Sequence, residues 1–304
     1  MSSGVPLVVL LIVAAASQLP AGNPHRLAWV DRSGKVIGTI GQPEWSMLYT
    51  TISPDATRIA VRGQEAQKGK PSVWIIDVAR GARRRLTTHP ANEGQPSWSP
   101  TGDRLAYLSY RNGLGDLFVR AANGSGDDLQ ITSNPDLHDF APSWSPDGKH
   151  IVFHTQHPKT GDRNVMYVSV AGDRTPKPVS DGPGQEALAT FSPDGRYIAY
   201  GSNESGRWEV YVKRFPVDPS KWKVSTNGGV WPRWSGRGNE LFFFEGTSLM
   251  AAPVKLEPTF SAGTSQKLFA AEAVGMDPAA ITQFNPTYDV TRDGQRFVVV
   301  QRTK

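Results

Sequence analysis

Six segments of the chain repeat one pattern: Ile52 to Val61 (ISPDATRIAV), Trp98 to Ser109 (WSPTGDRLAYLS), Trp144 to Thr155 (WSPDGKHIVFHT), Phe191 to Ser202 (FSPDGRYIAYGS), Trp234 to Phe244 (WSGRGNELFFF) and Val290 to Val300 (VTRDGQRFVVV). The Ser or Thr after each leading apolar residue falls at 53, 99, 145, 192, 235 and 291, at intervals of 46, 46, 47, 43 and 56. A unit of this size cannot bury its own apolar face, so regular repetition means stacked units sharing a core. Within each unit, Pro presets φ, Asp offers a side-chain acceptor and Gly takes the positive-φ position of a tight turn. The turn therefore joins two strands. The second is continuously apolar, as in Ile151-Val152-Phe153 or Phe297-Val298-Val299-Val300, the pattern of a sheet covered on both faces.

A third strand follows in most units (Val73 to Ile76, Leu117 to Val119, Val165 to Val168, Val210 to Val212), then a polar turn and a weaker outer strand ending near Leu86-Thr87-Thr88, Ile131-Thr132 or Val179-Ser180. Four strands in about 46 residues make a propeller blade. The ends of the chain complete the count. Arg26 to Ile40 reads as a third and fourth strand with no first or second before them, and Tyr288 to Gln301 as a first and second with nothing after. The expectation is an all-β, six-bladed propeller over residues 26–304, its blades four-stranded and antiparallel, its ring closed by strands from both termini. The 30 Gly and 24 Pro are then largely turn residues.

The repeated hairpin resembles the WD40-like PD40 repeat of the TolB-type six-bladed propellers. Glu204 to Val254 is especially similar to the extracytoplasmic propellers linked to some bacterial serine/threonine protein kinases. The resemblance implies protein partners at the cell envelope or a sensor role. Three units depart from the repeat: Ala56 replaces the turn Gly, Thr101 replaces the Asp, and Gly236-Arg237 replace Pro-Asp. The Gly-rich loop, HRD and DFG motifs of a kinase are absent from the sequence.

Residues 1–25 read as a leader. Val5 to Ala16 is a run of apolar residues, too short to span a bilayer and of signal-peptide length, although no Lys or Arg precedes it. The expected location is periplasmic or otherwise extracytoplasmic, with membrane contact only through an uncleaved leader. The net charge of +5 is spread along the chain, and the one compact basic run is Arg83-Arg84-Arg85, so no nucleic-acid partner is expected. There is no Cys, hence no thiolate metal site. HExxH, GxSxG and P-loop motifs are missing, and no enzymatic activity, cofactor or metal is expected.

Topology directs attention to one face. The SPDG turns and the third-to-fourth-strand turns share one side of the disc; the inter-blade connections and second-to-third-strand loops share the other, where sequence varies most. Variable loops on one face of a repeat scaffold usually carry its function. The expected ligand-binding residues at this channel mouth are Trp45, Glu93, His138, Asp139, Glu186, Trp231 and Phe284, a mixture of carboxylates and aromatics suited to a protein, peptide or polar small ligand. Trp45 and Trp231 are read as lying outside the repeat register, whereas Trp98, Trp144, Phe191 and Trp234 are read as inter-blade core. The alternative is a propeller enzyme, lactonase- or lyase-like, with a metal held by Glu93, Asp139 and Glu186.

Overall fold

The computed structural model describes residues 24–303 apart from Trp45, residues 65–68 and Asp181. Six antiparallel sheets surround a channel, each with its innermost strand in repeat order: Met47–Ile52, Glu93–Trp98, His138–Trp144, Glu186–Phe191, Val230–Trp234 and Tyr288–Val290. These strands define blades 1 to 6. Blade 6 takes its two inner strands from the C-terminus and its two outer strands, His25–Asp31 and Val36–Glu44, from the N-terminal part. Seven consecutive residue pairs, His25↔Arg302 to Asp31↔Arg296, stitch the two ends together. The outer position of blade 5 is divided between two short strands, Ser261–Ala262 and Gln266–Ala270, which both pair with Ser248–Lys255.

The repeated Ser or Thr explains why the hairpin recurs. In all six units its hydroxyl accepts the backbone N–H five residues on, at 2.9–3.2 Å. It also donates to a turn side chain, for example Ser145 to Asp147 and Ser192 to Asp194, both 2.6 Å. The two units that lost the turn Asp keep this contact through a later residue. Ser99 donates to Asp103 and Ser235 to Asn239, each at 2.8 Å. In the first unit Ala56 occupies the Gly position at φ 56°, a left-handed conformation that strains any residue with a Cβ.

The aromatic residues ahead of the turns pack between blades. Trp98, Trp144 and Trp234 each donate an indole N–H to an inner-strand carbonyl of the preceding blade, those of Thr51, Ser97 and Thr190, at 3.2–3.3 Å. Arg58 and Arg104 of the preceding blade stack over Trp98 and Trp144 at 4.6 and 5.3 Å. Phe191 fills the same place without the hydrogen bond, in a cluster with Val152, Val165 and Tyr200.

Two substitutions test this turn chemistry. Ser192→Ala, at a fully buried hydroxyl, orphans the Tyr197 N–H and is expected to lower unfolding free energy by about 1–3 kcal/mol. Ala56→Gly relieves the left-handed strain and is expected to raise it by about 1 kcal/mol. Chemical denaturation of both variants reads the two signs; a neutral Ser192→Ala would contradict the shared turn network.

Candidate functional site at the channel mouth

Five innermost strands carry the same bulge. At Tyr49, Gln95, Ala141, Leu188 and Trp231, each four residues before the repeated Ser, φ lies between 51° and 59°. The pairing register shifts at each of them, so that two residues oppose one on the neighbouring strand. The following residue is Pro96, Pro142 or Pro232 in three blades, and Pro has no N–H for a bulge to orphan. Other freed donors find partners in neighbouring blades: Ala141 N–H reaches the Gln95 side-chain oxygen at 2.6 Å, and Tyr49 N–H reaches the Pro286 carbonyl at 2.6 Å. The bulged residues of blades 1 to 4 and those that follow wall a cavity of about 140 Å³ in the channel, polar with Thr51, Ser97, Ser143 and Thr190.

One long connection breaks the sixfold regularity. The interval of 56 residues before the last repeat holds a 3-10 turn (Glu272–Val274) and a short helix (Pro278–Thr282). Asp277 caps the helix by accepting the Ala279 N–H at 3.0 Å, and Arg302 pairs with the same Asp277. Val274, Met276, Ala280 and Ile281 are buried in one cluster with Trp231, Phe269 and Tyr288. From this anchor on blades 5 and 6 the chain reaches over the mouth. Phe284 packs edge-on against Trp208 of blade 4 at 4.6 Å and lies beneath the guanidinium of Arg163 of blade 3 at 4.9 Å. Asn285 accepts the Tyr49 hydroxyl of blade 1 at 2.7 Å.

The structure places the sequence-predicted residues in three different settings. Trp45 lies outside the described residues. Phe284 stands at the mouth, half-buried. Trp231 lies within an inner strand and in register with the other bulges, not in a connection outside the repeat. It is fully buried between Phe244 and Tyr288, and its carbonyl accepts the Tyr288 hydroxyl at 2.7 Å. It props the wall from behind.

Glu93, Asp139 and Glu186 are equivalent positions on the innermost strands of blades 2, 3 and 4, each at most 1% exposed and each with one carboxyl oxygen that has no hydrogen-bond partner. Glu93 pairs with Arg111 at 2.6 Å and accepts from Ser109 at 3.0 Å. Arg111 in turn grips Asp128 at 2.7 Å, and Asp128 holds Arg120 at 2.9 Å. Glu186 accepts the Val165 N–H of blade 3 at 3.2 Å. Asp139 faces Thr132 and Asp116 of blade 2, and burial pushes its carboxyl up to about 7. The three carboxylates do not converge, and among the described residues no three His, Asp or Glu side chains group as a metal set. This counts against the alternative reading of a metal shared by Glu93, Asp139 and Glu186: alternate strand residues face opposite sides, and these three face the seams.

His138 joins a ladder of rings along the blade 2–3 side: Tyr110, His138, Phe140 and His154, with successive centroids 5.5–5.7 Å apart. His138 Nδ1 accepts the Gly115 N–H at 3.0 Å. Burial drives His154 down to about 3, so it is a neutral core ring. Sequence reasoning missed Tyr49, Arg62, Tyr110, Phe140, Arg163 and Trp208. All lie on inner strands or at the second-to-third-strand ends that the topology had assigned to this face.

Residues 125–266 match the family model of the PD40 TolB beta propeller domain. The chain is a six-bladed propeller, and its residues 125–266 carry the PD40 repeats of the TolB-type domain. Over 91 residues it is 33% identical to the Tol-Pal system protein TolB of Alcanivorax borkumensis; that stretch is 30% of this chain and 21% of the relative, so the likeness spans about a fifth of that protein's length. A protein described as TolB from Agrobacterium tumefaciens superposes with a TM-score of 0.71 over 93% of this chain and 99% of its own, at 16% identity. A puromycin-hydrolyzing peptidase of Mycobacterium tuberculosis gives 0.57 over 78% of this chain and 40% of its own, at 15% identity. At such identities these two likenesses show the propeller fold alone.

The buried carboxyl of blade 3 makes a pH prediction. Because the folded-state value of Asp139 lies above its ordinary value, the unfolded chain loses that proton first as pH rises from about 4 to 7, and folded-state stability falls across that window. Asp139→Asn removes the effect. Its stability relative to wild type is expected to rise between pH 5 and pH 8 by on the order of 2–3 kcal/mol. Paired urea titrations at both pH values measure this, and a pH-independent difference would refute a protonated Asp139.

Proposed function

We propose that this chain is a non-catalytic binding propeller of the bacterial cell envelope that recognises a protein or peptide partner at the loop-side mouth. The observation that carries this reading is the contrast between its two faces. The turn face presents nearly the same Ser-centred hairpin six times. The mouth presents partly exposed Tyr110, Phe140, Trp208 and Phe284 with Arg62 and Arg163, no two blades alike. Partly exposed aromatic rings beside arginines are the composition of binding hot spots.

Two further observations support the compartment and the class of partner. The relative from Alcanivorax borkumensis is described as a Tol-Pal system protein, and an envelope partner is the corresponding proposal here. The apolar run Val5 to Ala16, which lies outside the described residues, fits export. The resemblance of Glu204 to Val254 to kinase-linked propellers gives the reading its narrower form, a sensor whose output passes to another chain.

Immobilised protein incubated with envelope extract tests the face. The double variant Trp208→Ala/Gln283→Arg changes the rim, and Lys149→Glu changes the opposite turn face. Partner recovery is expected to fall at least about tenfold for the rim variant, the loss of one or two hot-spot contacts, and to persist for Lys149→Glu, with both variants folded at the assay temperature by circular dichroism. Loss only with Lys149→Glu would move the binding surface to the turn face.

A further inference from the structure

Arg62 and Arg163 are unusual among the basic residues of the mouth. Arg62 closes the second strand of blade 1, opposite Leu48 of the innermost strand and Val73 of the third. Its stem lies across Gly94 of blade 2, where an added Cβ would sit 2.6 Å from Arg62 Cδ, so Gly94 is the seat that lets this side chain turn toward the channel. Arg163 opens the third strand of blade 3, and its guanidinium covers the Phe284 ring at 4.9 Å. Neither makes an ion pair among the described residues, and the Arg163 Nε is buried without a hydrogen-bond partner. Tyr49, which lines the channel cavity, experiences the charge of both.

Among the described residues no carboxylate pairs with either of them. Three described acidic side chains of the inner strands have other partners: Glu93 pairs with Arg111, one oxygen of Glu186 accepts the Val165 N–H, and Asp289, deeper in the channel, pairs with Arg233 at 3.5 Å. Crowding by protein lowers the affinity of both arginines for their protons, the direction expected for cations held out of water without a counter-charge. A folded protein seldom keeps a guanidinium in such a place without a partner, because one uncompensated charge costs several kcal/mol.

We infer that the mouth between blades 1 and 3 is an oxyanion site, in which Arg62 and Arg163 receive a carboxylate or phosphate group above Tyr49 and the Phe284 ring. Guanidinium forks bind both groups through paired hydrogen bonds. Phe284 holds one fork flat from below, and the seat at Gly94 aims the other. This rests on the mouth being the binding face and adds the chemistry of the group bound there.

Calorimetric titration of the full chain at constant ionic strength tests it, with inorganic phosphate in one arm and succinate in the other. Saturable binding of one of them with a stoichiometry near one is expected, and the stronger arm identifies the anion. Arg62→Met/Arg163→Met is expected to abolish the heat while melting at or above wild type, because two unpaired charges have been removed. Arg163→Lys and Gly94→Ala keep every charge; each is expected to weaken binding about tenfold, by losing fork geometry or displacing the Arg62 stem. Absence of saturable binding in both arms overturns the inference, as does undiminished binding by the double variant. If the double variant does not fold, undiminished binding by both charge-keeping variants overturns it equally. Recovery of an envelope partner through Trp208 and Gln283 with no anion response in either arm would sink the oxyanion site and leave the mouth reading standing.

Discussion

Everything in this molecule depends on the seven backbone pairs that join His25–Asp31 to Arg296–Arg302. An open run of blades would leave two sheet edges unpaired and the channel wall incomplete. Closure through paired strands removes both edges and fixes the spacing of all six innermost strands. The remaining contacts then act locally between neighbours. Indole N–H bonds from Trp98, Trp144 and Trp234 to the preceding blade, with Arg58 and Arg104 stacked outside two of them, lock one blade to the next.

Closure alone would give a symmetrical tube, and the mouth is not symmetrical. The bulges at Tyr49, Gln95, Ala141, Leu188 and Trp231 turn the inner strands so that different side chains meet at equivalent positions. Positive φ at a residue other than Gly is strained, roughly 1–3 kcal/mol each, and it persists because neighbouring blades fix it from both sides. The connection through Phe284 then reaches blades 3 and 4, and its Asn285 reaches blade 1, so one connection crosses the mouth and breaks its sixfold pattern. Recognition is assigned to this asymmetric surface for the same reason that it is withheld from the turn face.

Much of the fold was legible because its determinants are local. A Ser, a turn acceptor and a Gly define each hairpin, and counting hairpins gives the blades. Even the departures were decipherable in principle: Asp103 and Asn239 stand four residues after their Ser and take over the acceptor role. The mouth was less legible because its determinants are not local. Whether Glu93, Asp139 and Glu186 face the channel or a seam depends on strand parity after a bulge, and a bulge moves parity by one. Three Pro residues, 96, 142 and 232, were the trace it left in the sequence. Nothing near Arg62 or Arg163 in the chain announces that neither has a carboxylate partner among the described residues, since each charge balance is set by residues from other blades.

The central claim is that the loop-side mouth, and not the turn face, meets the partner. Site-specific photo-crosslinking tests it most directly, with a benzophenone side chain introduced in place of Trp208 at the mouth or of Lys149 on the turn face. Irradiation in cells should yield a discrete crosslinked partner from position 208 and none from position 149. A partner crosslinked from position 149 alone would contradict the claim.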